Sequence, residues 1–161
     1  MSKLVGEELP DELYRRLAGD HLEAHADKVI PICTVDAQGW PHPALLSYFE
    51  VVAKDRRNIR LATYTDSTTT NNMRRNGKLT IVILDERVAF YIKGSAEELQ
   101  PRMQSAPHNA KLNLRVEQVL TDHADEQFEP GAYLSGGVTY YNPNRAREQQ
   151  QAEALLRELR E

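Results

Sequence analysis

The chain is 161 residues long, with 40% hydrophobic residues, 27% charged residues and a formal net charge of −4. That length gives one domain able to bury a substantial core, and the composition is that of a soluble globular protein, not a disordered one. The acidic balance argues against a dedicated nucleic-acid binder. A single cysteine, Cys33, excludes an internal disulfide and CxxC metal spacing.

The N-terminal MSKLVGEELPDEL is too acidic and too poor in apolar residues for a signal peptide, and no run approaches the 18 apolar residues of a membrane span. A cytoplasmic location fits. Pro10, Asp11 and Glu12 open a helix with Leu13 and Leu17 on one face, weakened at Gly19. From Val29 the apolar period becomes two, predicting a strand over 29–35, a turn at Asp36–Gly39 and a long second strand over 41–52. Pro41 and Pro43 belong where no ladder donor is needed, at a strand start or an edge. A third strand is expected over 59–65, a helix over 68–76, and strands over 78–84 and 88–94 joined by the turn Asp85-Glu86-Arg87. Pro101 and Pro107 bracket a short helix or loop within 97–108, and alternation over 112–120 predicts a sixth strand. Beyond a Gly-interrupted aromatic stretch, 133–141, a helix over 143–161 carries Ala152, Leu155, Leu156 and Leu159 on one face.

Few residues read as chemistry. His21 and His25 stand four apart, a spacing that can chelate zinc from a helix, but no third ligand is evident. Cys33 lies in an apolar run as a small buried hydrophobe. Asp36, Asp66 and Asp85 each sit beside a turn, where bonding to the backbone explains them. There is no GxSxG, P-loop or dinucleotide glycine fingerprint. No catalytic acid, base, nucleophile or metal site is therefore assigned, and any reaction falls to a cofactor. The informative stretch is 60–76, RLATYTDSTTTNNMRRN, where a strand feeds Asp66, four hydroxyl residues and a helix. Free amides at a helix start, beside hydroxyls and with Arg74 and Arg75 close behind, can seat a phosphate; the same residues also cap ordinary helices.

Taken together, VIPICTVDAQGWPHPALLSYFEV, RLATYTDSTTTNNMRRNGKLTIVIL and VAFYIKGSAEEL resemble the flavin-binding split-barrel family related to pyridoxamine 5′-phosphate oxidase. Its T-x-D-x-x-G-x-P-H hairpin is matched by Thr34-Val35-Asp36-Ala37-Gln38-Gly39-Trp40-Pro41-His42. The resemblance covers roughly residues 20–100, with a weaker echo over 112–141. It implies a mainly β, six-stranded antiparallel split β-barrel with short helices, pairing into a homodimer with FMN at the subunit interface. The phosphate is then expected at Ser67, Thr68, Thr69 and Thr70, with Arg74 within reach. Ala44, Leu45, Leu46 and Ser47 are expected along the isoalloxazine edge, and Thr63, Tyr64 and Thr65 at the ring and ribityl chain. Many members carry Arg and Lys where this chain has Thr68 and Thr69, which weakens the expected grip on a phosphate. The resulting expectation is an FMN-dependent oxidoreductase acting on a small molecule. The alternatives are a flavin- or ligand-binding module without turnover, a barrel that has lost its cofactor and serves in protein interaction, or an enzyme using deazaflavin F420. The basic residues that a substrate phosphate wants are missing, which argues against pyridoxamine 5′-phosphate oxidase activity itself.

Overall fold

A computed structural model describes residues 1–161. Eight strands form one antiparallel sheet: β1 (Ser2–Gly6), β2 (Val29–Val35), β3 (Pro41–Ser47), β4 (Val51–Ala53), β5 (Asn58–Tyr64), β6 (Lys78–Asp85), β7 (Val88–Gln100) and β8 (Asn109–Asp122). Three helices accompany them: α1 (Asp11–Leu17), α2 (Thr68–Asn76) and α3 (Arg145–Arg160). The strand order is β3-β2-β6-β7-β8-β5-β4, with β1 joining the far end of β8. This mainly β, curled antiparallel sheet is the expected split barrel, with eight strands in place of six.

Alternation explains the curl. Ile30 and Ile32 on β2, Leu79, Ile81 and Ile83 on β6, and Leu112 and Leu114 on β8 all turn into one buried core. Leu13 and Leu17 of α1 close that core at one end. The hairpin between β2 and β3 turns at Asp36–Gly39, where Gly39 has φ 88° and Asp36 Oδ1 accepts from the Gln38 and Trp40 amides.

The long strand expected over 41–52 is broken. Ser47 and Glu50 form a reciprocal capping box around a 3-10 turn, Tyr48–Glu50, and the chain leaves one end of the sheet, β3, and re-enters at the other, β4. Three residues thus bridge the two sheet edges. The region 97–108 holds no helix: Glu97–Gln100 extend β7 against β8, and a loop follows. The sixth strand begins earlier and ends later than expected, at Asn109 and Asp122. Ser2–Gly6, in the segment weighed only as a leader, pairs with its last four residues.

The glycine-interrupted stretch runs beside β2 through Val29 N–H to Val138 O, 3.0 Å, and Tyr140 N–H to Asp27 O, 2.8 Å. A Cβ on Gly137 would lie 2.6 Å from the Leu84 carbonyl, so only glycine fits there. Helix α3 packs Ala152, Leu156 and Leu159 onto Phe49, Val52, Ala62 and Met103, a second core on the outer side of the sheet. No helix of the chain is long and apolar enough to cross a membrane.

Candidate functional site

The hydroxyl-rich turn joins the end of β5 to the start of α2. Ser67 is the N-cap: its Oγ accepts from the Thr70 amide at 3.2 Å. The Thr70 hydroxyl, fully buried, donates to the Tyr64 carbonyl at 2.7 Å. Its one proton is thereby used, so Thr63 Oγ1 at 2.6 Å and Ser67 Oγ at 3.1 Å both donate to it. Thr63, Ser67 and Thr70 are brought together, and their hydroxyls serve one another.

What stays open is the outer rim of the turn. The Thr68 and Thr69 amides, the first two of α2, have no partner within the chain, and neither do the Thr68 and Thr69 hydroxyls. Such amides carry the positive end of the helix dipole. The cations nearby are engaged. Arg74 donates from Nη1 to Thr65 O and Asn71 Oδ1, from Nη2 to Thr65 Oγ1, and from Nε to Glu98 Oε2 at 2.6 Å. Arg75 reaches the Val35 carbonyl at 2.6 Å and Asn72 Oδ1 at 3.1 Å. Thr65 faces inward too, its hydroxyl donating to Pro101 O at 2.7 Å.

Helix α2 is tied to the β2–β3 hairpin by its polar face. Buried Asn72 donates to Thr34 Oγ1 at 2.9 Å, Thr34 donates to His42 O, and Asn76 joins Arg75 on Val35 O. That tether fixes the later part of α2 against the β2–β3 hairpin, and the outer edge of β3 pairs with no strand. Along β3, Leu45 is exposed, Leu46 is buried, Ala44 packs against the core and Ser47 bonds Glu50. On β5 Tyr64 is 68% exposed. The surface therefore shows the β3 edge, Leu45, Tyr64 and exposed Thr68, while Thr69, whose amide and hydroxyl likewise lack a partner, is buried. The expected residues fall into an inward set that builds this surface and an outward set that presents it.

Two concave regions flank α3. A cleft of about 590 Å³ lies between Gly19–Glu23 and the end of α3. Another, of about 550 Å³, lies between the start of α3, Phe49, Glu50, Tyr64 and the loop Ser105–Asn109. The second shares Tyr64 with the expected set; none of its other residues was read from the sequence as part of a site. The S-x-x-E spacing of Ser47 and Glu50 was the one local signal for them. Burial raises the Glu50 pKa, against the opposing bonds from Ser47. His21 and His25 gather no third ligand, and no cluster of three metal-binding side chains forms. His25 instead stacks on Tyr48, ring centroids 4.5 Å apart.

A family model described as pyridoxamine 5′-phosphate oxidase matches residues 21–131. The Bacillus subtilis protein YclD, itself described as uncharacterized, is 28% identical over 116 residues, spanning 72% of this chain and 75% of YclD. Among solved structures, a pyridoxamine 5′-phosphate oxidase-like protein of Lactobacillus delbrueckii superposes with TM-score 0.57 at 20% identity, over 74% of this chain and 98% of that one. An FMN-binding protein of Syntrophomonas wolfei gives TM-score 0.53 at 15% identity, covering 71% and 88%. An F420 reductase gives 0.52 at 13%, covering 69% and 98%. At these identities the structural likeness speaks for the fold.

Proposed function

Because the chain belongs to the pyridoxamine 5′-phosphate oxidase family, we propose that it binds FMN between two copies of itself and passes hydride or electrons to a small molecule, as a cytoplasmic oxidoreductase. The observation that carries this reading is the rim of the β5–α2 turn. Two unpartnered amides and two unpartnered hydroxyls, at exposed Thr68 and buried Thr69, lie at the N-terminus of α2. These are donors for an anionic tail. The free edge of β3, Ala44–Ser47, offers backbone donors and acceptors to the polar rim of a planar ring or to a second chain. Exposed Leu45 and Tyr64 supply apolar surface beside it.

Flavin, when bound, supplies two-electron redox chemistry at its N5 position. This chain's part is to hold and orient it. The Thr68 and Thr69 rim fits a phosphate through neutral donors alone, because Arg74 and Arg75 are engaged elsewhere. Charge-assisted bonds are roughly twice as strong as neutral ones, so modest FMN affinity follows. The test is a fluorescence-quenching titration with FMN, and in parallel with deazaflavin F420. Thr68→Val removes one unpartnered hydroxyl and should weaken FMN about two- to tenfold without touching the fold. Unchanged affinity removes the turn from the site, and a protein that quenches neither cofactor sinks the reading.

The engagement of Arg74 favours a second reading, a module that holds a ligand without turnover or has no cofactor. A sample that remains colourless after incubation with excess FMN selects it.

A further inference from the structure

The 550 Å³ cleft beside Tyr64 lies against the first turns of α3, on the outer face of the sheet. Strands β5 and β8 pair there with Ala62 across from Lys111 and Tyr64 across from Asn109. Ala62 packs against α3, so Tyr64 and Asn109, two residues along, point to the same side. Asn109 lines the cleft and is only 8% exposed, yet its carboxamide has no hydrogen-bond partner within the chain. Its backbone closes the preceding loop onto Ala106 and Met103, both at 2.8 Å, and any residue supplies those bonds. The next polar residues of the same row are occupied: Lys111 donates to the Glu158 carbonyl, and Asn113 to Asn58 Oδ1 at 3.0 Å. A covered carboxamide left unpartnered costs stability until a donor and an acceptor reach it. The acids of the lining have other partners. Glu50 Oε2 accepts from the Ser47 amide and hydroxyl, both at 2.7 Å, and Glu148 pairs with Arg145 at 3.6 Å. Phe49, Ala152 and Leu155 give the cleft an apolar floor.

We propose that this cleft binds a small, uncharged, planar ring carrying a cis-amide edge, an N–H beside a C=O as in a lactam, and that Asn109 reads that edge. A carboxamide matches it twice: Nδ2 donates to the ligand carbonyl, and Oδ1 accepts from the ligand N–H. The ring lies on Phe49 and Leu155, with exposed Tyr64 at the mouth. A ligand ending in carboxylate or phosphate meets Glu50 and Glu148 and finds no lysine or arginine in the lining. The lining comes from one chain, so the site needs neither flavin nor a second copy. Its occupant becomes the substrate of the oxidoreductase only if the proposed function holds, since Tyr64 belongs to both surfaces.

The test uses the full chain without flavin, near neutral pH, and three probes of similar size. Isoindolinone presents the edge, N-methylisoindolinone has its N–H blocked, and protonated benzamidine presents two donors. Backbone amide shifts report where each binds. Isoindolinone should give saturable shifts confined to residues 64, 105–109 and 148–155, with N-methylisoindolinone at least about fivefold weaker. Asn109→Leu removes both matching groups and should weaken isoindolinone about tenfold while the spectrum stays that of the folded protein. Asn109→Asp keeps the acceptor and replaces the donor by a second acceptor. The preference should then turn from isoindolinone toward benzamidine by at least about tenfold, a reversal that a merely structural role would not produce and that decides the matter if Asn109→Leu fails to fold. No saturable binding, shifts elsewhere, equal affinity for the methylated probe, or an unchanged preference in Asn109→Asp would each overturn the proposal. A separate FMN titration of the same samples keeps the two ideas apart, because failure to bind FMN leaves the isoindolinone result standing.

Discussion

Arg74 and Thr65 are joined twice: Nη1 donates to the Thr65 carbonyl at 2.7 Å and Nη2 to its hydroxyl at 3.0 Å. Thr65 in turn donates to Pro101 O, and Arg74 also pairs with Glu98 on β7. The guanidinium therefore fastens the β5–α2 turn to the end of β7.

This geometry makes Arg74 a brace. Arg74→Met should lower stability by about 1–3 kcal/mol in urea unfolding, since it strands the Thr65 carbonyl and the Glu98 carboxylate. FMN affinity should change less than about threefold. A tenfold weaker FMN complex with unaltered unfolding would instead make it a phosphate ligand.

At the opposite end of the barrel, Asp85 accepts from Arg16 Nη1 at 2.8 Å and from Lys28 Nζ at 2.8 and 2.9 Å. All three side chains are largely covered. Burial pushes the Asp85 pKa up, but these bonds outweigh it and hold the carboxyl well below its usual range. Nearby His25 is pushed down by burial and then by Arg16 and Lys28. Both groups take up protons more readily in the unfolded chain. His25 thus withdraws stability as pH falls below about 6.5, and Asp85 as it falls below about 4. Melting curves should show both limbs. His25→Gln should flatten the upper one alone, and Asp85→Asn should cost about 3 kcal/mol at neutral pH by leaving two covered cations without their anion. An upper limb that persists in His25→Gln assigns it to another group.

Helix α3 contributes a core of its own. Leu159, fully buried, packs in the cluster with Phe49, Val52, Ala62 and Met103. Leu159→Ala should cost about 2–4 kcal/mol in denaturant. Truncation before Asn142 should expose that apolar face and lower the melting temperature further. A shortened chain that melts like the parent would make α3 peripheral.

Local chemistry announced some elements and not others. The bounds of α2 were readable because Ser67 caps its start and Gly77, at φ 68°, ends it. The β2–β3 hairpin was readable from alternation and Gly39. The break at Tyr48–Glu50 was hidden inside an apolar run, since Leu45 to Val52 suits a strand and only the Ser47–Glu50 pair opposes it. The extension of β7 through Glu97–Gln100 is set by pairing with Lys111–Asn113 against poor strand propensity. Within the candidate site, the run of hydroxyls located the turn correctly. Which hydroxyls faced outward depended on Thr63 lying across from Thr70, a contact no linear pattern encodes.

Strands β3 and β4, the two free ends of the sheet order, are separated by only the residues Tyr48–Glu50. That link acts as a buckle of fixed length. An added or deleted residue there must slip β3 along β2 or β4 along β5, and a slip of one position turns a strand's inner side chains outward. Indels confined to these three residues should be tolerated far less than equal changes in the exposed Lys54–Arg57 turn, although both are short connections between strands consecutive in the chain.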